Sequence, residues 1–292
     1  MSFSISKKKS AFDYVNGTLL ALVSLLCIVP FLYILSVSLT DMEAYIPFTF
    51  KLWPEKFSLG AYRYILGTST FSDAIASTAY VTVVGTIVSL AVTFPAAYTL
   101  TRRSMPMYRL FSGLVVFLLV FSAGMIPTYI VVRNLKLTNT FWALILPVAT
   151  DSWSLIVVKS FMDSLPKELE EAAKIDGCSD YGVFFRIIVP LSMASVAAFT
   201  LFFAVARWNT YFDALIYISD TKKRTLQVLV KTMVMDDNTN AAAAPSGWSD
   251  ALIPSEVLRS ATIMVAVLPI LVVYPFLQKY FVKGVMLGSV KG

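Results

Sequence analysis

The sequence predicts an all-α integral membrane protein with six transmembrane helices and both termini in the cytoplasm. Three observations predict it. Of 292 residues, 57% are apolar and only 14% charged, against about 45–50% and about 25% in a soluble domain. Six stretches meet or approach the roughly 20 apolar residues that a helix needs to cross a ~30 Å hydrocarbon core. Lysine and arginine are denser in alternate connections, and that bias sets an orientation.

The spans run, in order, over residues 14–39, 74–100, 108–132, 140–158, 190–206 and 261–281. Lys7-Lys8-Lys9 precede the first, which is too long for a signal-peptide core and has no small-x-small cleavage site after it, so it reads as an uncleaved span. The fifth is short, because Arg207 and Asp213 interrupt its continuation toward Ile218. With the N-terminus inside, the cytoplasmic segments hold 13 basic and seven acidic residues and the outer segments 11 and ten, leaving Asp151 within the membrane.

The connections are unequal. Arg133–Asn139 is short and predicts an antiparallel hairpin of the third and fourth spans. The first outer connection, Thr40–Asp73, contains Pro47, Trp53 and Pro54 and predicts a partly ordered cap. Residues 207–260 form a long outer loop that includes the low-complexity stretch Asp236–Gly247. No internal repeat is visible.

Composition excludes much chemistry. There is no histidine, and Cys27 and Cys178 are the two cysteines. Ser-His-Asp hydrolases, histidine metal sites and multi-bridge disulfide frameworks are therefore out of reach. No G-x-x-x-x-G-K-[ST] run occurs, so the chain carries no P-loop. It is not expected to be an enzyme on its own.

Between the fourth and fifth spans lies a cytoplasmic segment, 159–189, that does not read as a simple loop. Pro166 suits a first helical position, Glu168, Glu170 and Glu171 favour the positive end of a helix, and Gly177 suits its left-handed stop. Leu169, Ala172, Ala173 and Asp176 share one face by three- and four-residue spacing. That face of small residues flanked by carboxylates suits docking into a basic protein cleft. A solvated linker of two capped helices, the second over Tyr181–Val189, reads equally well from the residues alone.

These residues carry a family resemblance. Glu171-Ala172-Ala173, then Gly177, Ile187 and Val189-Pro190, resembles the EAA loop of bacterial ABC-importer permeases, with Val189 in place of the usual leucine. The lead-in Pro166–Glu170, Gly124-Met125-Ile126-Pro127, Trp208-Asn209, and the C-terminal Gln278–Gly284 and Gly288–Gly292 are similar to the carbohydrate-uptake branch. Within that branch the pattern is closest to permeases for complex oligo- and polysaccharides such as alginate.

The resemblance implies a type I importer permease fold in the bacterial inner membrane. It implies a second permease as heterodimer partner, two ATPase subunits that hold ATP and Mg, and a periplasmic or lipid-anchored solute-binding protein. No cofactor on this chain and no nucleic-acid partner are implied. The segment around Pro166–Gly177 would be the coupling helix, with Glu171, Ala172, Ala173 and Gly177 as docking contacts and Asp176 orienting the turn. Gly284, Gly288 and Lys291 would make the C-terminal tail contact between the ATPases.

A translocation path needs polar or aromatic groups facing inward. Asp151 costs about 2.5–3.5 kcal/mol on insertion scales if it faces lipid, so it is expected to face protein or a water-filled cavity. Asp151, Trp153, Trp208 and Asn209 are the candidate sugar contacts, since aromatic rings stack on sugar faces and the polar groups bond hydroxyls. Trp153 and Trp208 read equally as packing or interface residues, and Asp151 as a structural partner. Arg133, Lys136, Arg207 and Lys222–Arg224 on the outer side suit an anionic sugar, and equally an acidic binding protein. An ion-coupled secondary transporter would show repeats and several intramembrane charges. A non-transporting scaffold would leave the cytoplasmic segment unexplained.

Overall fold

The computed structural model describes residues 11–41, 43–47, 49–235 and 255–288, without the side chains of 11, 234, 235, 255 and 276–288. The low-complexity stretch Asp236–Gly247 and Lys291 lie outside the described residues. The described residues are helical with no named strand, and an isolated antiparallel bridge joins Thr40 to Phe57. They fall into two units, one from the first 68 residues with the start of the last helix, the other from Ser69 to Met235 with its remainder.

In the first unit, α1 (Ala11–Ser38) is long and apolar enough to cross a membrane despite Pro30 inside it. Its outer end is clasped by the following connection. The Asp41 N–H donates to the Lys56 carbonyl at 2.8 Å, Ser58 N–H to the Leu39 carbonyl at 2.8 Å, and Lys56 pairs with Asp41 at 3.4 Å. Tyr33 stacks on Phe50, and α2 (Gly60–Gly67) sends Tyr62 to the Ser38 hydroxyl at 2.8 Å. The cap predicted over Thr40–Asp73 thus takes shape as a clasp followed by a short helix.

The second unit is organised on α3 (Ser69–Thr101), which spans in one piece and buries Ser77, Thr78, Gly85, Thr86, Ser89 and Thr93. Small side chains let neighbouring helices approach closely, the main source of packing where apolar burial from lipid gives little drive. After it come α4 (Tyr108–Val120), α5 (Met125–Asn134), α6 (Trp142–Ile145) with a 3-10 turn Leu146–Val148, and α7 (Ser152–Asp163). Helix α8 (Lys167–Ile175) leads to α9 (Asp180–Val183), a π turn Phe184–Ile188 and α10 (Val189–Leu191). Then follow α11 (Met193–Trp208), α12 (Phe212–Tyr217) and α13 (Leu226–Met235), and the chain ends on α14 (Ser255–Gly288). The long outer loop expected over 207–260 therefore begins with two helices and a 3-10 turn, Thr221–Lys223.

Helices α7 and α11 pack on α3. One core gathers Phe94, Tyr98, Val158, Phe184, Ile188 and Phe199, and joins the segment 159–189 to α3, α7 and α11. A second gathers Val81, Val132, Leu144, Ile145, Tyr217 and Val228 around the hairpin. Within that hairpin Lys136 and Asn139 adopt φ of +57° and +59°, and Asn139 accepts from the Asp220 N–H at 3.0 Å and donates its own N–H to the Tyr217 carbonyl at 2.7 Å.

Three of the six predicted spans are not straight. The stretch 108–132 is divided at residues 121–124, where Gly124 sits at φ +82°, ψ 179°, open to glycine and strained for other residues. The stretch 140–158 is bent by 54° at Ala149–Asp151, where the extended Asp151 starts a new helix. At Ser192 the helical run Asp180–Leu191 turns by 81° into α11. Among the described residues, helices α1, α3 and α14 are long and apolar enough to cross a membrane unbroken.

Candidate coupling site and transport path

Helix α8 starts at Lys167 with Pro166 as its extended N-cap, one position later than the sequence suggests. Glu168 and Glu170 occupy the first turn and Lys174 the last, complementing the helix dipole at both ends. Its C-terminus closes by two backbone bonds: Gly177 N–H to the Lys174 carbonyl at 3.0 Å and Cys178 N–H to the Ala173 carbonyl at 2.9 Å. That double closure requires a left-handed residue at Gly177, whose φ is +82°. Ser179 then caps α9, its hydroxyl accepting from the Gly182 N–H at 3.3 Å.

The closed helix has two unlike faces. Glu171, Ala172, Asp176 and Gly177 are exposed, with Ile175 86% exposed among them. Ala173 instead packs inward against the core around Phe184, so it supports the helix rather than joining the outward face. Glu170 turns toward α3 and pairs with Arg102 at 2.9 Å. Arg102 also donates to the Tyr98 hydroxyl and lies 4.8 Å over its ring. Asp180 pairs with Lys174 at 3.0 Å and lies 3.9 Å from Arg102. The Lys174 hydrogen bond and charge hold the Asp180 carboxyl below the usual carboxylate range. A cleft of ≈ 570 Å³ opens beside α8, lined by the ends of α3 and α7.

Each of the expected path residues has partners of its own within the chain. Asp151 is the N-cap of α7, its two carboxylate oxygens accepting from the Ser154 N–H at 2.9 Å and the Ser154 hydroxyl at 2.6 Å. Trp153, half exposed, packs its ring 6.0 Å from Phe199 and 5.9 Å from Phe202. Trp208 donates from Nε1 to the Ala266 carbonyl at 3.0 Å, tying α11 to α14. Asn209 is the C-cap residue of α11; its side chain donates to the Val205 carbonyl at 2.9 Å.

Arg207, read from the sequence as an interruption of the fifth span and as one of the outer cations suited to an anionic sugar, is instead buried and organises this region. Arg207 is 6% exposed, and its Nη2 donates to the Ser89 hydroxyl at 3.0 Å and to the Val148 carbonyl. The Val148 carbonyl is freed by the break before α7, so a cation at that helix end satisfies both charge and hydrogen bond. Gly85 makes the room: a Cβ there would stand 3.1 Å from Arg207 Cδ. The partners of Arg207 and Arg102 lie far along the chain, where no local spacing rule reaches them.

An apolar helical bundle with a rigidly capped helix held out on one side is the architecture of a membrane transport component. The family model for the binding-protein-dependent transport system inner membrane component matches residues 98–287, and the chain belongs to this family. Its fold is that of a type I ABC importer permease, a multi-pass membrane protein. It is 44% identical over 287 residues to Protein LplC of Bacillus subtilis (strain 168), covering 98% of this chain and 97% of that one. It is 41% identical over 285 residues to the polygalacturonan/rhamnogalacturonan transport system permease protein YtcP of the same organism, covering 98% and 100%. A solved structure, described as a bacterial ABC transporter involved in the import of the acidic polysaccharide alginate, superposes with a TM-score of 0.87 at 30% identity, over 94% of this chain and 100% of that one.

Proposed function

We propose that this chain is one of two permease subunits of an ATP-driven importer in the bacterial inner membrane, moving an oligo- or polysaccharide by alternating access. ATP and Mg belong to two separate ATPase subunits, and a periplasmic or lipid-anchored binding protein delivers the sugar. The observation that carries this reading is the exposed face of α8, closed by Gly177, in a chain of this family. Glu171, Ala172, Asp176 and Gly177 form the face that an ATPase cleft grips, and Ala173 anchors it from behind. Gly284 and Gly288 lie on the helical backbone of α14 and, with Lys291, reach the ATPases.

The best cargo is an anionic sugar polymer, alginate or a pectic uronate. Two neighbours with such cargoes in their names support it, as do the exposed cations Arg133, Lys136, Lys222 and Arg224 on the outer side. Asp151, Trp153, Trp208 and Asn209 remain the side chains proposed to border the path.

Purified ATPase added to the solubilised permease pair tests the coupling. The wild-type chain should capture it and a Gly177→Asp chain should not, because aspartate strains the left-handed turn and alters the gripped face. Equal capture by both overturns the assignment. Uptake of a neutral oligosaccharide in preference to a uronate oligomer overturns the cargo.

A further inference from the structure

We infer that the break at residues 121–124 is a sugar subsite in the translocation path, taking one pyranose unit of the cargo through backbone hydrogen bonds. The inference rests on the transport reading above and adds a site that the side-chain candidates do not include.

Depth comes first. Helix α4 starts at Tyr108 beside Arg109, a cytoplasmic anchor, and has 13 residues. At 1.5 Å per residue it climbs about 20 Å, which leaves its end inside a hydrocarbon slab of about 30 Å. The chain is then non-helical for four residues before α5 begins. Non-helical backbone at that depth is tolerated where it is covered by protein or lines a water-filled cavity, and not against lipid.

The break satisfies few of its own polar groups. Phe121 N–H reaches the Phe117 carbonyl at 2.8 Å, Gly124 N–H the Ser122 hydroxyl at 3.4 Å, and the Gly124 carbonyl accepts from the Thr128 hydroxyl at 2.8 Å. Among the described residues, no other hydrogen bond reaches the Ser122 and Ala123 N–H groups or the carbonyls of Phe121, Ser122 and Ala123. All four residues are exposed, and neither flanking helix carries a side-chain cap. The break at 149–151 differs, since Arg207 and Asp151 close it from within the chain.

A cavity of ≈ 390 Å³ adjoins the first break, lined by Ala123, Pro127, Thr128 and Val131 on one side and Leu146 and Pro147 on the other. That volume is within the range of small-ligand sites. Its wall is apolar, and from the break the free Ala123 N–H and carbonyl line it. A pyranose matches it, with hydroxyls around the ring edge and C–H groups on the face.

The test uses the assembled transporter, both permeases with their ATPases, in proteoliposomes. Cys27 and Cys178 are replaced by serine to give a cysteine-free chain, and single cysteines are placed at Ser122, Ala123 and, as a control within apolar α4, the exposed Val116. A membrane-impermeant methanethiosulfonate should label positions 122 and 123 about tenfold faster than 116. A uronate oligomer should slow that labelling several-fold. Val131→Trp, which fills the cavity, should raise the KM for uptake several-fold.

Labelling as slow as at Val116 places the break against lipid or buried protein and overturns the inference. So does a disulfide between either cysteine and the partner permease, rapid labelling without protection by the oligomer, or an unchanged KM. Uptake by the wild-type complex is scored separately: a complex that imports no uronate fails the transport reading, whereas the labelling rates still report whether the break is wet.

Discussion

The breaks at 121–124 and 149–151 lie in neighbouring hairpin arms and solve one problem in opposite ways. At 149–151 the freed Val148 carbonyl receives Arg207, and the N-terminus of α7 receives the Asp151 carboxylate. At 121–124 the chain supplies only short-range contacts, and Gly124 takes a conformation that other residues resist. The difference teaches how to separate a joint that is part of the scaffold from a surface left for something else. A bilayer punishes both kinds of break equally, so the side chains that close one and not the other mark their separate uses.

The largest effect that could break this comparison is expected from Arg207→Leu. It removes a buried cation and both of its hydrogen bonds, and thermal unfolding of the detergent-solubilised complex should show a loss on the order of 3 kcal/mol. A melting temperature equal to wild type would mean that the second break holds without Arg207. Gly124→Ala is next: at φ +82°, ψ 179° a Cβ costs about 1–3 kcal/mol, with open space around it. Its signature is a moderate loss of stability with altered uptake, and an unaffected transporter would show that the first break is not fixed by this glycine.

A smaller effect sharpens the role of Asp151. Asn accepts hydrogen bonds as an N-cap nearly as well as Asp, so Asp151→Asn should alter stability by less than about 1 kcal/mol. If uptake falls nonetheless, the charge itself faces the path; unchanged uptake kinetics assign Asp151 to capping alone. Asp151→Leu removes cap and charge together and should impair sugar-stimulated turnover while subunit assembly persists.

The smallest effect concerns the cytoplasmic tie. Lys174 lowers the Asp180 pKa, so its contribution is fully present above the ordinary carboxylate range and fades as pH falls through the lowered folded value. ATPase capture should be insensitive to Asp180 titration from pH 8 to about pH 5, and Asp180→Asn should weaken it only slightly because the pair is exposed. A marked drop in capture between pH 7 and 6 would point to another group.

The long apolar helices and the capped α8 were legible in the sequence because their signals are local. A run of apolar residues, Pro166 at one end and Gly177 at the other act within a few positions of themselves. The breaks were not legible, since a window of about 20 residues averages over the four residues around Gly124 and sees one span. Ala173 turns inward because Phe184, after the next turn, supplies a core, and no spacing rule within α8 reveals that. Arg207 finds Ser89 and Val148 118 and 59 positions away, and Arg102 finds Glu170 68 positions on. Such pairings exist only once the bundle is assembled. Trp208 and Asn209 were chosen for their chemistry, yet the indole proton of Trp208 is spent on α14.

The 81° corner at Ser192 has a mechanical meaning. The arm Asp180–Leu191 is about 18 Å long and α11 about 24 Å at 1.5 Å per residue, so together they form a crank. If the corner holds its angle, a sideways pull on the short arm would swing the long one, whose far end carries Arg207 and its bond to Val148. In an importer of the proposed kind, work done on the short arm would reach Arg207 as a change of angle.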